Sequence, residues 1–191
     1  MASQETSDPR SRLRADARRN YDRLVVAARE TFQARGGDAT LEQVAKAAGV
    51  GIGTLYRHFP SRLALVEAVY LEDVEALEAA ATESTSLPPW EALSGWLEGF
   101  VEYAMVKHAL FAELAEAYGK DSTFVSHCRE LISRASALVL SRAQEAGVAR
   151  DDIEPPDMLR LVHGVALTPN PDPDQVKRML RVVIDGLRAD P

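Results

Sequence analysis

Residues 40–59 read TLEQVAKAAGVGIGTLYRHF, and this stretch decides the fold of the first part of the chain. Thr40 followed three residues later by Gln43 is a capping-box pattern, which marks the start of a helix. Gly49 ends that helix early, because glycine readily accepts the left-handed backbone conformation. A second short helical segment follows at once, so the stretch predicts a tight helix-turn-helix corner over about 41–59.

Helical periodicity extends over the rest of the chain. Apolar residues recur at every third or fourth position, and no segment shows the sustained alternation of a β-strand. We therefore predict an all-α protein, with a three-helix helix-turn-helix domain in residues 1–60 and a larger helical bundle in residues 61–191. The helices predicted outside the corner cover about 16–35, 61–81, 93–104, 110–118, 121–147, 157–167 and 173–188, with Asp121 and Asp172 as N-caps of two of them.

The formal net charge of −7 hides an uneven distribution along the chain. Residues 1–62 carry 11 basic against 7 acidic groups, whereas residues 63–191 carry 11 basic against 22 acidic groups. A basic head on an acidic body favours contact with phosphate in one orientation only, since the body is repelled. Chance variation in surface charge is the alternative interpretation.

The sequence also indicates the cellular compartment in which the protein is expected to act. Cys128 is the one cysteine, which excludes an intrachain disulfide and fits a reducing environment. The N-terminal residues lack the apolar core of a secretory signal, and no stretch approaches the roughly 20 apolar residues that cross a bilayer. We expect a cytoplasmic protein with no membrane partner.

The second helix of the corner has one apolar face and one polar face. Leu55 and Phe59 lie four residues apart and therefore face inward together. The outward side chains offer hydroxyl, guanidinium and imidazole groups, which can bond phosphates and base edges. This pattern favours DNA binding, although a simply solvated helix face would look the same. The outward side chains are Thr54, Tyr56, Arg57 and His58.

Residues 16–70 resemble the DNA-binding domain of the tetracycline-repressor (TetR) family of transcriptional regulators. The resemblance rests on Val-Ala-x-x-Ala-Gly-Val from Val44, followed by Gly-Thr-Leu-Tyr-x-His-Phe-x-Ser from Gly53. Ala-Glu-Ala-Tyr-Gly-Lys-Asp from Ala115 and Leu-Arg-Leu-Val-His-Gly-Val-Ala from Leu159 resemble, more distantly, an actinobacterial-type ligand domain. The resemblance implies a dimeric repressor that binds a palindromic operator on double-stranded DNA and is released by a small molecule.

The same resemblance implies a role for each matching position. Thr40 would offer its hydroxyl and the start of its helix to a phosphate, and Arg62 would hold another phosphate. Arg57 would read bases, and Gly53 would let the backbone approach DNA closely. Three side chains would hold the recognition helix against the DNA backbone, namely Thr54, Tyr56 and His58.

Two positions depart from the family pattern. Gly51 stands where the family usually has Ser or Thr, so one cap and one phosphate contact are in doubt. Ile52 stands where a polar or basic residue is common, and it either touches a thymine methyl group or packs beside Leu55. Upstream, Arg10, Arg12 and Arg14 form either a minor-groove arm or a solvated tail.

The C-terminal region is rich in bulky aromatic residues. Ligand pockets are lined mainly by apolar groups with a few polar ones, so these residues predict a pocket for a small apolar or aromatic effector. Gly95, Gly99 and Gly164 leave space beside them or allow close helix contact. Ordinary core packing is the alternative for each aromatic residue. The predicted ligand-binding residues are Trp96, Phe100, Tyr103, Phe111, Tyr118 and His163.

The last two predicted helices carry apolar stripes that suit a homodimer interface. A two-fold dimer would set two reading helices about one or two DNA turns apart, at roughly 34–36 Å per turn. The alternative is that the stripes pack only on their own chain. The predicted interface residues are Leu159, Val162, Val165, Val176, Leu180, Val183, Ile184 and Leu187.

No pattern indicates a metal, a cofactor or catalysis. His127 and Cys128 are neighbours that point about 100° apart on a helix, and His108 and His163 lie on separate segments. Nucleophile elbows and phosphate-binding loops are absent from the sequence. The protein is therefore predicted not to be an enzyme. The alternative function is an architectural DNA-binding protein with no effector, which would have a closed C-terminal core.

Overall fold

A computed structural model describes residues 9–119, 122–167 and 172–189, and over those residues every regular element is helical. This confirms the predicted all-α fold. The α-helices are α1 (Pro9–Arg35), α2 (Leu41–Ala47), α3 (Ile52–His58), α4 (Arg62–Glu83), α5 (Pro89–Tyr118), α6 (Thr123–Glu145), α7 (Pro155–Ala166) and α8 (Pro173–Gly186). Short 3-10 turns occupy Gly36–Asp38 and Ser84–Ser86. None of these helices combines the length and apolar character that a membrane span requires.

The chain divides into two compact units, residues 9–69 and residues 70–189. The sequence places the boundary at 60/61, where α4 begins, whereas the first unit extends about two turns into α4. Leu65, Val66 and Val69 are fully buried members of that unit. Helix α4 therefore contributes residues to both units.

The first unit is built on the apolar stripe of α1. Leu24, Val25, Ala28 and Phe32 are fully buried, as expected for positions that recur every three or four residues. Helix α1 extends upstream of the predicted residue 16 to Pro9, where the described residues begin, and the arginines of this stretch are good helix formers.

The corner between α2 and α3 forms as the sequence predicts. The Thr40 hydroxyl accepts from the Gln43 amide at 3.3 Å, and the Gln43 side chain accepts from the Thr40 amide at 3.1 Å. Gly49 has φ +66°, the left-handed conformation that terminates α2. The Val50 amide then donates to the Ala45 carbonyl at 3.0 Å, which closes the turn.

In the second unit, α5 is one helix where the sequence suggests two. The residues between the two predicted stripes contain neither glycine nor proline, so nothing interrupts the backbone hydrogen bonds. The predicted N-cap Asp121 lies outside the described residues, and Ser122 caps α6 by accepting from the Val125 amide at 3.3 Å. Asp172 caps α8 as predicted, ahead of Pro173 at the first helical position.

Polar contacts fix the C-terminal half of α4 within the second unit. The indole N–H of Trp96 donates to the Leu77 carbonyl at 2.9 Å, and the Arg134 guanidinium pairs with Glu78 at 2.8 Å. Arg142 of α6 donates to the carbonyls of Ser84 and Thr85 at 3.3 and 2.9 Å. These bonds tie α4 and the 3-10 turn that follows it to α5 and α6.

Replacement of Gly49 by alanine should lower the free energy of unfolding by about 1–2 kcal/mol, because a side chain at positive φ is strained even though no atom lies within 4 Å of the added Cβ. Gly53→Ala is the matched control. Its Cβ also meets no atom within 4 Å, yet Gly53 lies inside a helix, so alanine should stabilise by about 0.5–1 kcal/mol. Urea unfolding measures both, and equal effects would contradict the assigned turn.

Candidate nucleic-acid interface

Helix α3 is held in place by its inner face. Leu55 is fully buried and Phe59 nearly so, and Val44 of α2 is buried in the same unit. The ring of Tyr21 on α1 lies 5.1 Å from that of Phe59. The sequence predicted the inward pair of α3 and placed Tyr21 on the apolar stripe of α1, but it did not predict the contact between Tyr21 and Phe59.

The outer face of α3 carries exposed side chains of mixed chemistry. Arg57 and Gly53 are exposed, and Thr54 is half-buried. Ile52 and Tyr56, one helical turn apart, retain 39% and 48% of their surface. We call this set, Ile52, Gly53, Thr54, Tyr56 and Arg57, the outer face of α3.

His58 lies beside this face rather than on it. Its ring is half-buried, with its centroid 6.3 Å from that of Tyr21 at an interplanar angle of 67°. The imidazole therefore packs edge-on toward α1, and part of it stays accessible to solvent.

The two glycines at the start of α3 are not required by packing within the chain. Alanine at Gly51 or Gly53 would meet no atom within 4 Å, and neither residue has positive φ. Gly51 is the N-cap residue, and no side chain caps α3. This confirms that the cap which Ser or Thr would supply is missing here.

Thr40 and Arg62 lie at the starts of α2 and α4. Thr40 is exposed, and its hydroxyl is already engaged as the cap of α2. The Arg62 guanidinium donates to the Ala39 carbonyl and lies 4.8 Å from the centre of the Phe32 ring. Arg62 therefore fixes the backbone next to Thr40. Its partner is 23 residues away in the chain, so a local sequence pattern does not predict this contact.

The aromatic residues of the second unit form a continuous series of rings. Trp96 stacks on Phe100 at 5.5 Å, and Phe100 lies 5.8 Å from Tyr103. Tyr70 joins Tyr103 at 6.0 Å. Beyond Tyr70 the series continues to Phe124 at 5.9 Å and ends at Tyr118, 6.5 Å further on. We call Trp96, Phe100, Tyr103, Tyr70, Phe124 and Tyr118 the ring series.

The ring series is buried at one end and open at the other. Trp96, Phe100 and Tyr103 are buried, whereas Tyr118 retains 41% of its surface. Burial raises the pKa of Tyr70 to about 12 and also raises the pKa of Tyr103. The series therefore contains a neutral hydroxyl pair in apolar surroundings.

The other predicted ligand residues are placed differently. His163 is half-buried on α7, and the side chain of Phe111 lies outside the described part of the chain. A groove of about 490 Å³ runs between α5 and α8, and none of the six predicted ligand residues lines it. Its floor includes Val101, Val176 and Leu180, with Glu98 and Glu102 on the α5 side and Lys177 and Arg181 on the α8 side.

The predicted dimer residues are mostly inside their own unit. Val162, Val165, Val176, Leu180 and Leu187 are buried within the single chain, and Leu159, Val183 and Ile184 are half-buried. The large apolar side chains that α7 and α8 leave exposed are Leu161, at 51%, and Val182, at 73%. The predicted residues lie at the centre of each stripe, and Leu161 and Val182 flank that centre.

Histidine and cysteine residues are scattered. No group of three potential metal ligands occurs among the residues that the structure describes. Cys128 is 1% exposed on the inner face of α6, whereas its neighbour His127 is exposed.

A capped helical corner that presents a polar helix face defines a helix-turn-helix protein. Residues 24–69 match the family described as "Bacterial regulatory proteins, tetR family", and residues 88–189 match "Transcriptional regulator SbtR-like, C-terminal domain". The chain belongs to the TetR family of DNA-binding transcriptional regulators. The family resemblance of the sequence is thereby confirmed, and so is the prediction that the protein is a regulator and not an enzyme.

Individual relatives agree with this assignment. An uncharacterised regulator named TtgW, from Pseudomonas putida, is 33% identical over 117 residues, which are 60% of this chain and 86% of that protein. The regulator SrpR, also from Pseudomonas putida, is 33% identical over 60% of this chain and 54% of its own length. The chain therefore spans about half the length of SrpR.

Two solved structures are similar over both units. A TetR transcriptional regulator from Streptomyces coelicolor has a TM-score of 0.79 and 38% identity, covering 90% of this chain and 99% of its own. A TetR regulatory protein from Mycobacterium vanbaalenii has a TM-score of 0.73 and 31% identity, covering 93% and 99%.

Substitutions at Arg57 and Arg62 should affect different properties, DNA affinity in the first case and stability in the second. Arg57→Ala removes an exposed side chain and should cost about 1–3 kcal/mol in binding to a selected DNA sequence, with stability unchanged within about 0.5 kcal/mol. Arg62→Ala leaves the Ala39 carbonyl unpaired and should lower the free energy of unfolding by about 1.5–3 kcal/mol. Urea unfolding and fluorescence anisotropy measure the two effects. Equal losses of Arg57→Ala on selected and random DNA would show that Arg57 does not read bases.

Proposed function

We propose that the protein is a dimeric repressor that binds a palindromic operator through the outer face of α3 and is released by a small apolar or aromatic effector. One observation carries the DNA-binding part of this proposal. The buried pair Leu55 and Phe59 fixes α3, while its opposite face presents exposed groups that can bond DNA. Major-groove readers use a short helix held in this way.

Gly53 supports a closely approaching partner. A glycine inside a helix costs about 0.5–1 kcal/mol relative to alanine. The chain has room for an alanine there, since nothing lies within 4 Å of the added Cβ. A partner that comes close to the α3 backbone explains the glycine, and a DNA strand in contact with α3 is such a partner.

The proposed DNA contacts are of two kinds, contacts to bases and contacts to phosphates. Arg57 is exposed near the C-terminal end of the outer face, and its planar guanidinium suits the acceptor pair of a guanine edge. Thr54 and Tyr56 of the same face and His58 beside it are proposed to bond phosphates, as is the hydroxyl of Thr40. Arg62 supports Thr40 by fixing the backbone at Ala39. The basic first part of the chain adds attraction for phosphate.

The effector is proposed to act in the second unit at the ring series. The series offers flat apolar surfaces with one hydroxyl pair, Tyr70 and Tyr103, and it opens at Tyr118. Such a site suits a small aromatic molecule with one or two hydrogen-bonding groups. The groove between α5 and α8, at about 490 Å³, is another candidate site and has a volume that suits such a molecule.

Helix α4 is the element through which the effector is proposed to act. Trp96, a member of the ring series, donates to the Leu77 carbonyl of α4, and Arg134 pairs with Glu78 one residue later. Helix α4 contributes residues to both units. A ligand that binds best when α4 takes a different position against Trp96 and Arg134 therefore changes the DNA affinity. The coupling is reciprocal, so operator DNA would weaken effector binding by the same factor.

The proposed function predicts which DNA the protein retains. Genomic fragments held by the pure protein should share a palindrome whose half-sites lie about one or two helical turns apart. Gly53→Ala should bind that palindrome more weakly although its fold is no less stable. Retention of fragments without a common sequence would overturn the regulator and favour an architectural protein.

Tryptophan fluorescence can report binding at the effector site, because the chain has two tryptophans, Trp90 and Trp96. In Trp90→Phe, Trp96 is the remaining tryptophan, and molecules that release the DNA should change its fluorescence. Trp96→Phe is the matched control, because Trp90 lies 4.1 Å from the Arg188 guanidinium and outside the ring series. Release of DNA with unchanged Trp96 emission would move the effector site away from the ring series.

The dimer is proposed to form on the exposed flank of α7 and α8. Leu161 and Val182 are the exposed large apolar residues there, and Gly164 and Gly186 on the same helices are exposed, with open space at each Cβ position. Small residues let helices approach each other closely. The predicted residues Val183 and Ile184 border this flank and are half-buried in the single chain.

Val182→Glu should dissociate the dimer, raising its dissociation constant at least about 100-fold, because an unpaired charge would be buried in the interface. The side chain is 73% exposed in one chain, so the fold of each subunit should not change. Val26→Glu, at an exposed valine of α1, is the matched control and should remain dimeric. Sedimentation distinguishes the two, and a dimeric Val182→Glu variant would place the interface elsewhere.

A further inference from the structure

We propose that Ile52 is a specificity-determining residue that reads the 5-methyl group of a thymine in each operator half-site. This inference rests on the proposed function, in which α3 enters the major groove. It adds the identity of a base to that function and assigns the base to one side chain.

Ile52 is placed as a reader and not as a core residue. It retains 39% of its surface, whereas Leu55 on the inner face is fully buried. The large apolar side chains exposed in the described part of the first unit are Val26, Ile52 and Tyr56. Two of these three lie one turn apart on the outer face of α3.

The sequence neighbours of Ile52 carry no side chains at this end of the helix. Gly51 and Gly53 flank it, and no atom lies within 4 Å of a Cβ built on either. Ile52 is also the first residue of α3, with no side-chain cap beside it. A surface brought against the start of α3 therefore meets a branched aliphatic group between two bare stretches of backbone.

The chemistry of the major groove selects the partner of such a group. The groove edges of guanine, cytosine and adenine present hydrogen-bond donors and acceptors, and thymine alone presents a methyl group. A donor or acceptor covered by an aliphatic side chain loses its water without gaining a partner, which is costly. A thymine methyl group loses no hydrogen bond and gains an apolar contact.

Ile52 and Arg57 read different base pairs in this arrangement. They lie five positions apart, which is about 7.5 Å along the helix axis and about 140° around it, so the two side chains point in different directions. Each half-site should therefore hold a thymine for Ile52 and a separate guanine for Arg57. Burial of one methyl group corresponds to about a fourfold change in affinity for each half-site.

The experiment removes the methyl group and nothing else. The operator is first obtained by selection from random duplex DNA with the full-length protein. Each thymine of both half-sites is then replaced in turn by deoxyuridine, and the dissociation constants are measured by fluorescence anisotropy. One symmetric thymine pair should show a loss of about fourfold per half-site in the unmodified protein.

Ile52→Ala is the decisive variant. It should bind the thymine and deoxyuridine operators equally well, because the group that senses the methyl is gone. Tyr56→Ala, the other exposed apolar residue of α3, is the matched control and should keep the deoxyuridine effect. Urea unfolding of both variants checks that the fold is kept, and exposure of both side chains predicts small changes.

Three results would overturn the inference. Deoxyuridine at every thymine could leave the affinity unchanged, the deoxyuridine effect could persist in Ile52→Ala, or it could vanish in Tyr56→Ala instead. Failure of the proposed function looks different, because the initial selection would then enrich no sequence at all.

Discussion

The burial of Leu55 and Phe59 is the constraint on which the position of α3 depends. Helix α3 has seven residues, no side-chain cap and a glycine in its second position, so it would not persist as an isolated helix. Packing of its inner face, including Tyr21 against Phe59, supplies the stabilisation that its low intrinsic helix propensity does not provide. The outer face is thereby free to carry residues chosen for a partner and not for helix stability.

Local patterns were read from the sequence correctly, since they depend on residues close together in the chain. The capping box at Thr40, the left-handed turn at Gly49 and the cap at Asp172 all form as predicted. Contacts between distant residues could not be predicted in this way. Arg62 on the Ala39 carbonyl and Trp96 on the Leu77 carbonyl depend on how helices pack, which periodicity does not encode.

Burial shows the same limit of sequence patterns. An apolar stripe identifies the face that a helix buries, but not what covers it. On α7 and α8 the stripe centre, including Val162 and Leu187, is covered by the chain itself, and Leu161 and Val182 stay exposed beside it. In the same way, the large aromatic residues were recognised as a group, while their order from buried Trp96 to open Tyr118 is a property of the fold alone.

The inward position of Cys128 has a practical consequence. The only thiol of the chain is almost fully shielded from solvent, so a reagent that attacks accessible thiolates has little to react with on the folded surface. A cysteine introduced at an exposed site on α1 or α8 would then be the one reactive group on each subunit. Paired spin labels or fluorophores attached there would report distances between two copies of the protein, without first removing the native residue.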